Sequence, residues 1–193
     1  MEELKLREED RGNEKLEITQ SYIKSPVSHV RLYHTTVAPK ARLLEDKKGL
    51  KCSVLIFHGF TEDSSSYMEM AQHIALAGTC ECHLIDFHGF GFSTGVRGYV
   101  DLVEIQNDIL ALVGEVIKRN AARKLALPAF VIASSYAANA VAGLLINNPD
   151  IPLAGVIMCS PAFSAHCQYA QLSILEKIFH LYVYPVVQVR MMR

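Results

Sequence analysis

The chain has 193 residues, half of them hydrophobic and 20% charged, with a net charge of −1. That length suits one domain with a sizeable core, and the balanced charge argues against a nucleic-acid partner and against an acidic tail. The charged start, Met1 to Asp10, is neither a signal nor a transit peptide, and no apolar run reaches the ~18 residues of a membrane span, so a soluble, cytoplasmic protein is expected. Five cysteines, an odd number without CxxC spacing, point to a reducing compartment rather than a disulfide framework. Cys80 and Cys82 would share one strand face as small core or surface residues rather than as a metal site.

Residues 1–14 read as a polar tail. Segments 16–22 and 30–37 carry β-branched and aromatic residues and predict two antiparallel strands at one sheet edge. The near-continuous apolar run 52–57 suits a central strand buried on both faces, closed by His58-Gly59-Phe60. Tyr67, Met70, Ala71 and Ile74 recur at helical spacing and predict a helix over 64–77, stopped by Gly78. A strand over 80–87 and a glycine-rich loop over 88–95 follow. Leu102, Ile105, Ile109, Leu112, Val113 and Val116 mark the next helix. Pro128 precedes a strand over 129–133, a helix runs from Ser135 to about Asn147, and a strand over 153–159 is closed by Ser160-Pro161. The apolar stretch 172–187 is helix-like and broken by Pro185.

Strands that alternate with helices imply a mostly parallel sheet with right-handed crossovers and helices on both faces. Chemistry in such sheets gathers at the carboxyl ends of the strands. There lie His58-Gly59-Phe60, the 88–95 loop and Ser135. In Ala133-Ser134-Ser135-Tyr136-Ala137, an apolar strand meets serine and becomes a small-residue helix, the layout of a nucleophile at a sharp strand-to-helix turn. Centring on Ser135 puts Ala133 and Ala137 at the crowded flanks. Centring on Ser134 would put Ile132 and Tyr136 there, so Ser135 is the better nucleophile. A buried strand feeding an ordinary helix is the plainer alternative. Gly89, Gly91 and Gly95 make no GxGxxG fingerprint, and neither a metal nor an organic cofactor is indicated.

Taken together, these stretches resemble the α/β-hydrolase superfamily, in its monoacylglycerol lipase, lysophospholipase and serine aminopeptidase-like branch. The segment from His58 to Tyr67 is similar to the family's His-Gly segment. Asp86 to Val100 matches its Asp-x-x-Gly-x-Gly-x-Ser-x-Gly-x-Arg-Gly-Tyr-Val stretch, and this is the most specific signal. Ala133 to Ala138 falls where the family has Gly-His-Ser-Met-Gly-Gly, and Gly155 to Ala162 where its sixth strand belongs. The resemblance implies an α/β-hydrolase core over 15–165 with strands one to six, and the start of a cap over 166–193. It implies acyl transfer through an ester on Ser135, with the Phe60 and Tyr136 N–H groups receiving the developing oxyanion. His58, with Gly59, is expected to hold the loop beside that site rather than to act as base. Asp86, His88, Arg97 and Tyr99 are expected to fix the second loop.

The family's acid and histidine lie after its seventh and eighth strands, beyond the cap. After Asp150 this chain has no aspartate, one further acid, Glu176, and the histidines His166 and His180. Glu176 and His180 would share a helix face and could replace the missing pair, although an ordinary cap helix is the plainer reading. The chain is therefore expected to stop within the cap. It would then be a product of a longer hydrolase gene, a catalytically dead relative, or a chain whose sheet a second chain completes. The expected function is hydrolysis of lipid-type carboxylic esters such as monoacylglycerols or lysophospholipids, with a peptidase or haloperoxidase-like activity as variants on the same fold. The alternative is a non-catalytic binding or regulatory protein. An uncovered sheet edge would invite self-association. Segment 172–187 would line an acyl site, touch a membrane surface, or pack on the sheet.

Overall fold

A computed structural model of the chain describes residues 14–26, 29–41, 49–99 and 101–161. The tail up to residue 13 and the expected cap segment, with His166, Glu176 and His180, lie outside the described residues. Six strands form one sheet: β1 (Leu16–Lys24), β2 (Arg31–Pro39), β3 (Cys52–Phe57), β4 (Cys80–Ile85), β5 (Ala129–Ser134) and β6 (Gly155–Cys159), in the spatial order β1-β2-β4-β3-β5-β6. β1 and β2 pair antiparallel from Leu16↔Pro39 to Lys24↔Arg31, β2 runs antiparallel to β4, and the remaining pairs are parallel. This is the expected mostly parallel sheet with an antiparallel hairpin at one edge.

The strand order decides where the helices go. The step from β3 to β4 moves one way across the sheet, and the steps to β5 and β6 move the other way. Right-handed crossovers must then place the first helix on one face and the next two on the opposite face. Accordingly α1 (Met68–Gly78) buries Met68, Ala71 and Ala75 against Val37, Val54, Ile56 and Leu84. On the other face α2 (Leu102–Ala122) and α3 (Tyr136–Asn147) bury Ile105, Ile109, Leu112, Val113, Ala140, Val141 and Leu144 against Leu55, Phe57, Val131 and Ala133. On the α1 face, Phe130 and Ile157 stay 38% and 59% exposed, and β5 is the one described neighbour of β6.

Several elements differ from the sequence reading. The helix expected over 64–77 opens as a 3₁₀ turn, Ser64–Tyr67, capped by the Asp63 carboxylate on the Ser65 N–H. A serine-rich start with a strong cap favours local side-chain bonding over regular helix. Gly78 ends α1 but Thr79 makes the left-handed turn, at φ 57°. β4 stops at Ile85, because Asp86 turns away to bond the loop that follows. The expectation of unpaired cysteines is also corrected: Cys52 and Cys80 form a disulfide. Their strands are adjacent and parallel, the register places Cys52 opposite Cys80, and the Cα atoms are 4.9 Å apart. Spacing within one strand could not show a partner on the next. Cys82 is buried and free, and burial pushes its thiol up to about 12. Among the described residues no group of side chains is arranged to hold a metal, and no helix is long and apolar enough to cross a membrane.

β4 carries a buried carboxylate near its start. Arg119 reaches Glu81 Oε1 from Nη2 at 3.0 Å, and Arg123 Nη1 donates to Oε2 at 2.9 Å. Burial alone would push the Glu81 carboxyl up, but the His83 hydrogen bond and the Arg119 charge outweigh it and hold it at about 2. Both arginines sit near the C-terminus of α2, so the pairs fasten that helix to the sheet. Glu81→Ala strands the arginines and is expected to cost roughly 2 kcal/mol in urea unfolding, below the value for a fully buried pair because the guanidinium groups reach solvent. The folded carboxyl titrates below its ordinary 4.5, so its contribution is complete above that pH and is lost as pH falls towards 2. The difference in stability between parent and variant should narrow over that window.

Candidate active site

The register of the central strands brings three loops to one level. Phe57, the last residue of β3, lies opposite Ile85 of β4 and Ala133 of β5. His58-Gly59, Asp86-Phe87 and Ser134-Ser135 therefore leave the sheet side by side, at the point where the strand order reverses.

β5 ends at Ser134 and α3 begins at Tyr136, which leaves Ser135 alone in the turn. Its backbone takes φ 49° and ψ −113°, a combination that a residue with a side chain adopts only under constraint. The constraint is visible on both sides. The Ser135 N–H donates to the Cys159 carbonyl at the end of β6 at 2.8 Å, and the Ser135 carbonyl accepts the Ala138 N–H at 3.1 Å. Ala133 and Ala137 are both fully buried, and neither has a positive φ. Alanine thus meets the steric demand for a small residue at each flank, without the strain that a left-handed backbone would impose. Tyr136 is the first residue of α3, where helical N–H groups lack an internal partner and the helix dipole favours negative charge.

The turn after β3 passes directly over this elbow. A Cβ on Gly59 would lie 3.3 Å from Ser135 Cβ and 2.9 Å from Glu62 Oε2, so any side chain there would press on the elbow and displace the Glu62 carboxylate. His58 is buried, and both its ring nitrogens are engaged. Nε2 accepts the Phe87 N–H at 3.0 Å, which leaves the proton on Nδ1, 2.8 Å from the Gly59 carbonyl. Burial pulls the His58 pKa below its ordinary value, so the ring is neutral at pH 7. Its ring also packs on Phe87 and Phe90, and Phe60, partly exposed, meets the edge of Phe90. The structure thus places His58 as a brace between two loops.

The loop after β4 is fixed by buried acids. Asp86 Oδ1 accepts the Ser64 N–H at 2.8 Å and Oδ2 the Phe92 N–H at 2.7 Å. Gly91, at φ 46°, lies so close that a Cβ there would collide with this carboxylate. Ser93 Oγ donates to the Asp86 carbonyl and accepts the Tyr33 N–H, tying the loop to β2. His88 lies between two acids of α2, with Nδ1 2.7 Å from Asp108 Oδ2 and Nε2 2.9 Å from Glu104 Oε2. Burial draws the His88 pKa down, but the Asp108 hydrogen bond and the two carboxylate charges outweigh it and leave it raised. Arg97 Nη1 donates to the Gly91 carbonyl at 2.8 Å, whereas the Tyr99 side chain is half exposed. Asp86, His88 and Arg97 therefore hold the loop.

Sequence reading gave neither Glu62 nor Tyr67 a role at the site, naming Tyr67 only for its helical spacing and within the His-Gly segment. One oxygen of Glu62 accepts both the Gly59 N–H at 2.7 Å and the Tyr67 hydroxyl at 2.6 Å, and Tyr67 also meets the Ser134 hydroxyl. The available signal was a glutamate three residues beyond the His-Gly turn, with a tyrosine five residues further on. Because Ala133 is enclosed, Ala133→Leu is expected to cost about 1–3 kcal/mol through overpacking, read as a lowered urea midpoint, and to displace the elbow with it.

The sequence matches the family described as Serine aminopeptidase, S33 over residues 49–191. No curated protein matches it. Among solved structures, it is similar to a soluble variant of monoglyceride lipase from Saccharomyces cerevisiae, with TM-score 0.66, 17% identity, and coverage of 84% of this chain and 52% of that one. It is similar to a highly thermostable carboxyl esterase from Bacillus coagulans, with TM-score 0.61, 17% identity and coverage of 85% and 51%. An epoxide hydrolase from Mycobacterium thermoresistibile shares the fold at TM-score 0.54 and 17% identity, with coverage of 74% and 39%. The chain spans about half the length of the lipase and the esterase. The family match takes in every element from β3 onward, and on it the chain belongs to the serine aminopeptidase S33 family, on the α/β-hydrolase fold.

Proposed function

We propose that the protein is a serine hydrolase that cleaves lipid-type carboxylic esters, such as monoacylglycerols or lysophospholipids, through an acyl-enzyme on Ser135. The observation that carries this reading is the isolated, strained Ser135 between β5 and α3, with the Gly59 turn laid over it. Ser135 Oγ attacks the ester carbonyl and gives its proton to a base. The Phe60 and Tyr136 N–H groups take the charge that develops on the carbonyl oxygen. The alcohol leaves with a proton, and water then releases the acid from the serine. The lipid class is supported by the likeness to the yeast monoglyceride lipase and by the apolar stretch 172–187 of the sequence.

A second reading, a hydrolase-like binding protein without activity, is favoured by one feature of the site. Among the described residues, the four buried histidines are engaged elsewhere: His58 with Gly59 and Phe87, His88 with Asp108 and Glu104, and His34 with His83, whose Nε2 lies 3.5 Å from Glu81 Oε2. The sources of a base for Ser135 to test are therefore the sequence's His180 with Glu176, and a partner chain.

Fluorophosphonate labelling separates the two readings, because only an activated serine reacts. The hydrolase reading expects one label per chain, lost in Ser135→Ala, together with hydrolysis of a monoacylglycerol. A parent chain that takes no more label than Ser135→Ala would overturn it in favour of the binding protein.

A further inference from the structure

We propose that Glu62 is a positioning residue for the chemistry at Ser135: its carboxylate and the Tyr67 hydroxyl clamp the His-Gly turn to the elbow and set the aim of the Phe60 N–H. The proposal rests on the hydrolase reading above, since aim matters only if an oxyanion forms.

The clamp is built from hydrogen bonds on both sides of one residue. On the amino side of Gly59, its N–H donates to Glu62 Oε2 at 2.7 Å. On the carboxyl side, its carbonyl faces His58 Nδ1 at 2.8 Å. The Gly59 carbonyl and the Phe60 N–H belong to a single peptide plane and point in opposite directions along it. Fixing the carbonyl on His58 therefore fixes where the Phe60 N–H points, and holding the Gly59 N–H, which lies in the preceding peptide plane, on Glu62 anchors the other side of the glycine, so both planes that flank its φ and ψ are held. Without Glu62, one of the two anchors is gone and the donor can swing.

Glu62 is itself held to the elbow. The oxygen that takes the Gly59 N–H also takes the Tyr67 hydroxyl at 2.6 Å, and the Ser134 hydroxyl meets the same phenol. Ser134 immediately precedes the proposed nucleophile, so a chain of polar contacts runs from the Phe60 peptide through Glu62 and Tyr67 to the residue beside Ser135. Hydrogen bonds to an ionised acceptor are roughly twice as strong as neutral ones, which suits a carboxylate at the centre. The phenol lies at the N-terminus of α1 and Ser134 at the end of β5, so the clamp couples two otherwise separate elements across the mouth of the site. Gly59 belongs to the same device, because any Cβ would intrude on the carboxylate and on Ser135 together.

The test uses the full chain, with Glu62→Ala, Glu62→Gln and Tyr67→Phe. Two readouts are taken: hydrogen exchange at the Gly59 amide by NMR, and hydrolysis of p-nitrophenyl butyrate. In Glu62→Ala, Gly59 exchange should rise at least tenfold while the amides of Leu55 and Ile56 in β3 keep the protection of the parent. The kcat should fall by up to about a hundredfold with KM little changed, as expected for a misplaced donor. Glu62→Gln keeps an acceptor oxygen and should recover part of both effects, which a purely steric role would not predict. If Glu62→Ala fails to fold, Glu62→Gln and Tyr67→Phe carry the same comparison, each with a smaller loss. A parent that hydrolyses the ester, with Gly59 exchange and kcat unchanged in every variant, overturns the clamp alone. A parent that neither hydrolyses the ester nor takes the fluorophosphonate label overturns the hydrolase reading, and the catalytic role of Glu62 with it.

Discussion

Everything at the mouth of this site depends on the register of three parallel strands. Phe57, Ile85 and Ala133 stand at one level in the sheet, so the residues that follow them emerge together. No loop has to travel far to meet another, and short hydrogen bonds suffice to join them: Phe87 to His58, and Ser64 to Asp86. A strand pairing shifted by one residue would turn each side chain to the opposite face and separate these groups. The two dense cores protect against such a slip, since β3 and β4 each bury one set of side chains under α1 and the other under α2 and α3.

Within that frame, three fully buried carboxylates are satisfied in three different ways. Asp86 is surrounded by backbone amides, Glu81 is matched by guanidinium groups, and Asp108 takes a serine hydroxyl together with the ring and amide of His88. A buried charge without such partners would cost several kcal/mol, on the order of the whole net stability of a domain. Each acid is therefore bound to a particular conformation of its surroundings. Asp86 accepts only a loop that returns Phe92 to it, and Asp108 only one that brings His88 and Ser25 together. The polar interior specifies shape here, while the apolar cores supply most of the driving force.

The fold was legible in the sequence where hydrophobic patterning is local. The run 52–57 announced a doubly buried strand, the spacing of Leu102 to Val116 announced α2, and the small residues around Ser135 located the elbow. What escaped depends on neighbours that sequence distance conceals. Cys52 finds Cys80 only because their strands pair in parallel. Glu81 sits in a segment, Cys-Glu-Cys-His, whose polar members gave no hint of burial, and its partners are on a helix about forty residues away. The 3₁₀ turn and the left-handed Thr79 are decisions between competing local bonds, which patterning does not weigh. The Glu62–Tyr67 link lay inside the quoted His-Gly segment, but its meaning depends on Ser134 arriving from another strand.

One bond described above ties the elbow to the far edge of the described sheet. The Ser135 amide hangs on the carbonyl of Cys159, the last residue of β6, and no other described strand covers that strand's outer side. If the final peptide of β6 shifted, the elbow amide would have to follow or release its acceptor. The turn at Ser135 is thus tethered to that border by one 2.8 Å link, so the backbone of the proposed nucleophile depends on the last described strand as well as on its own.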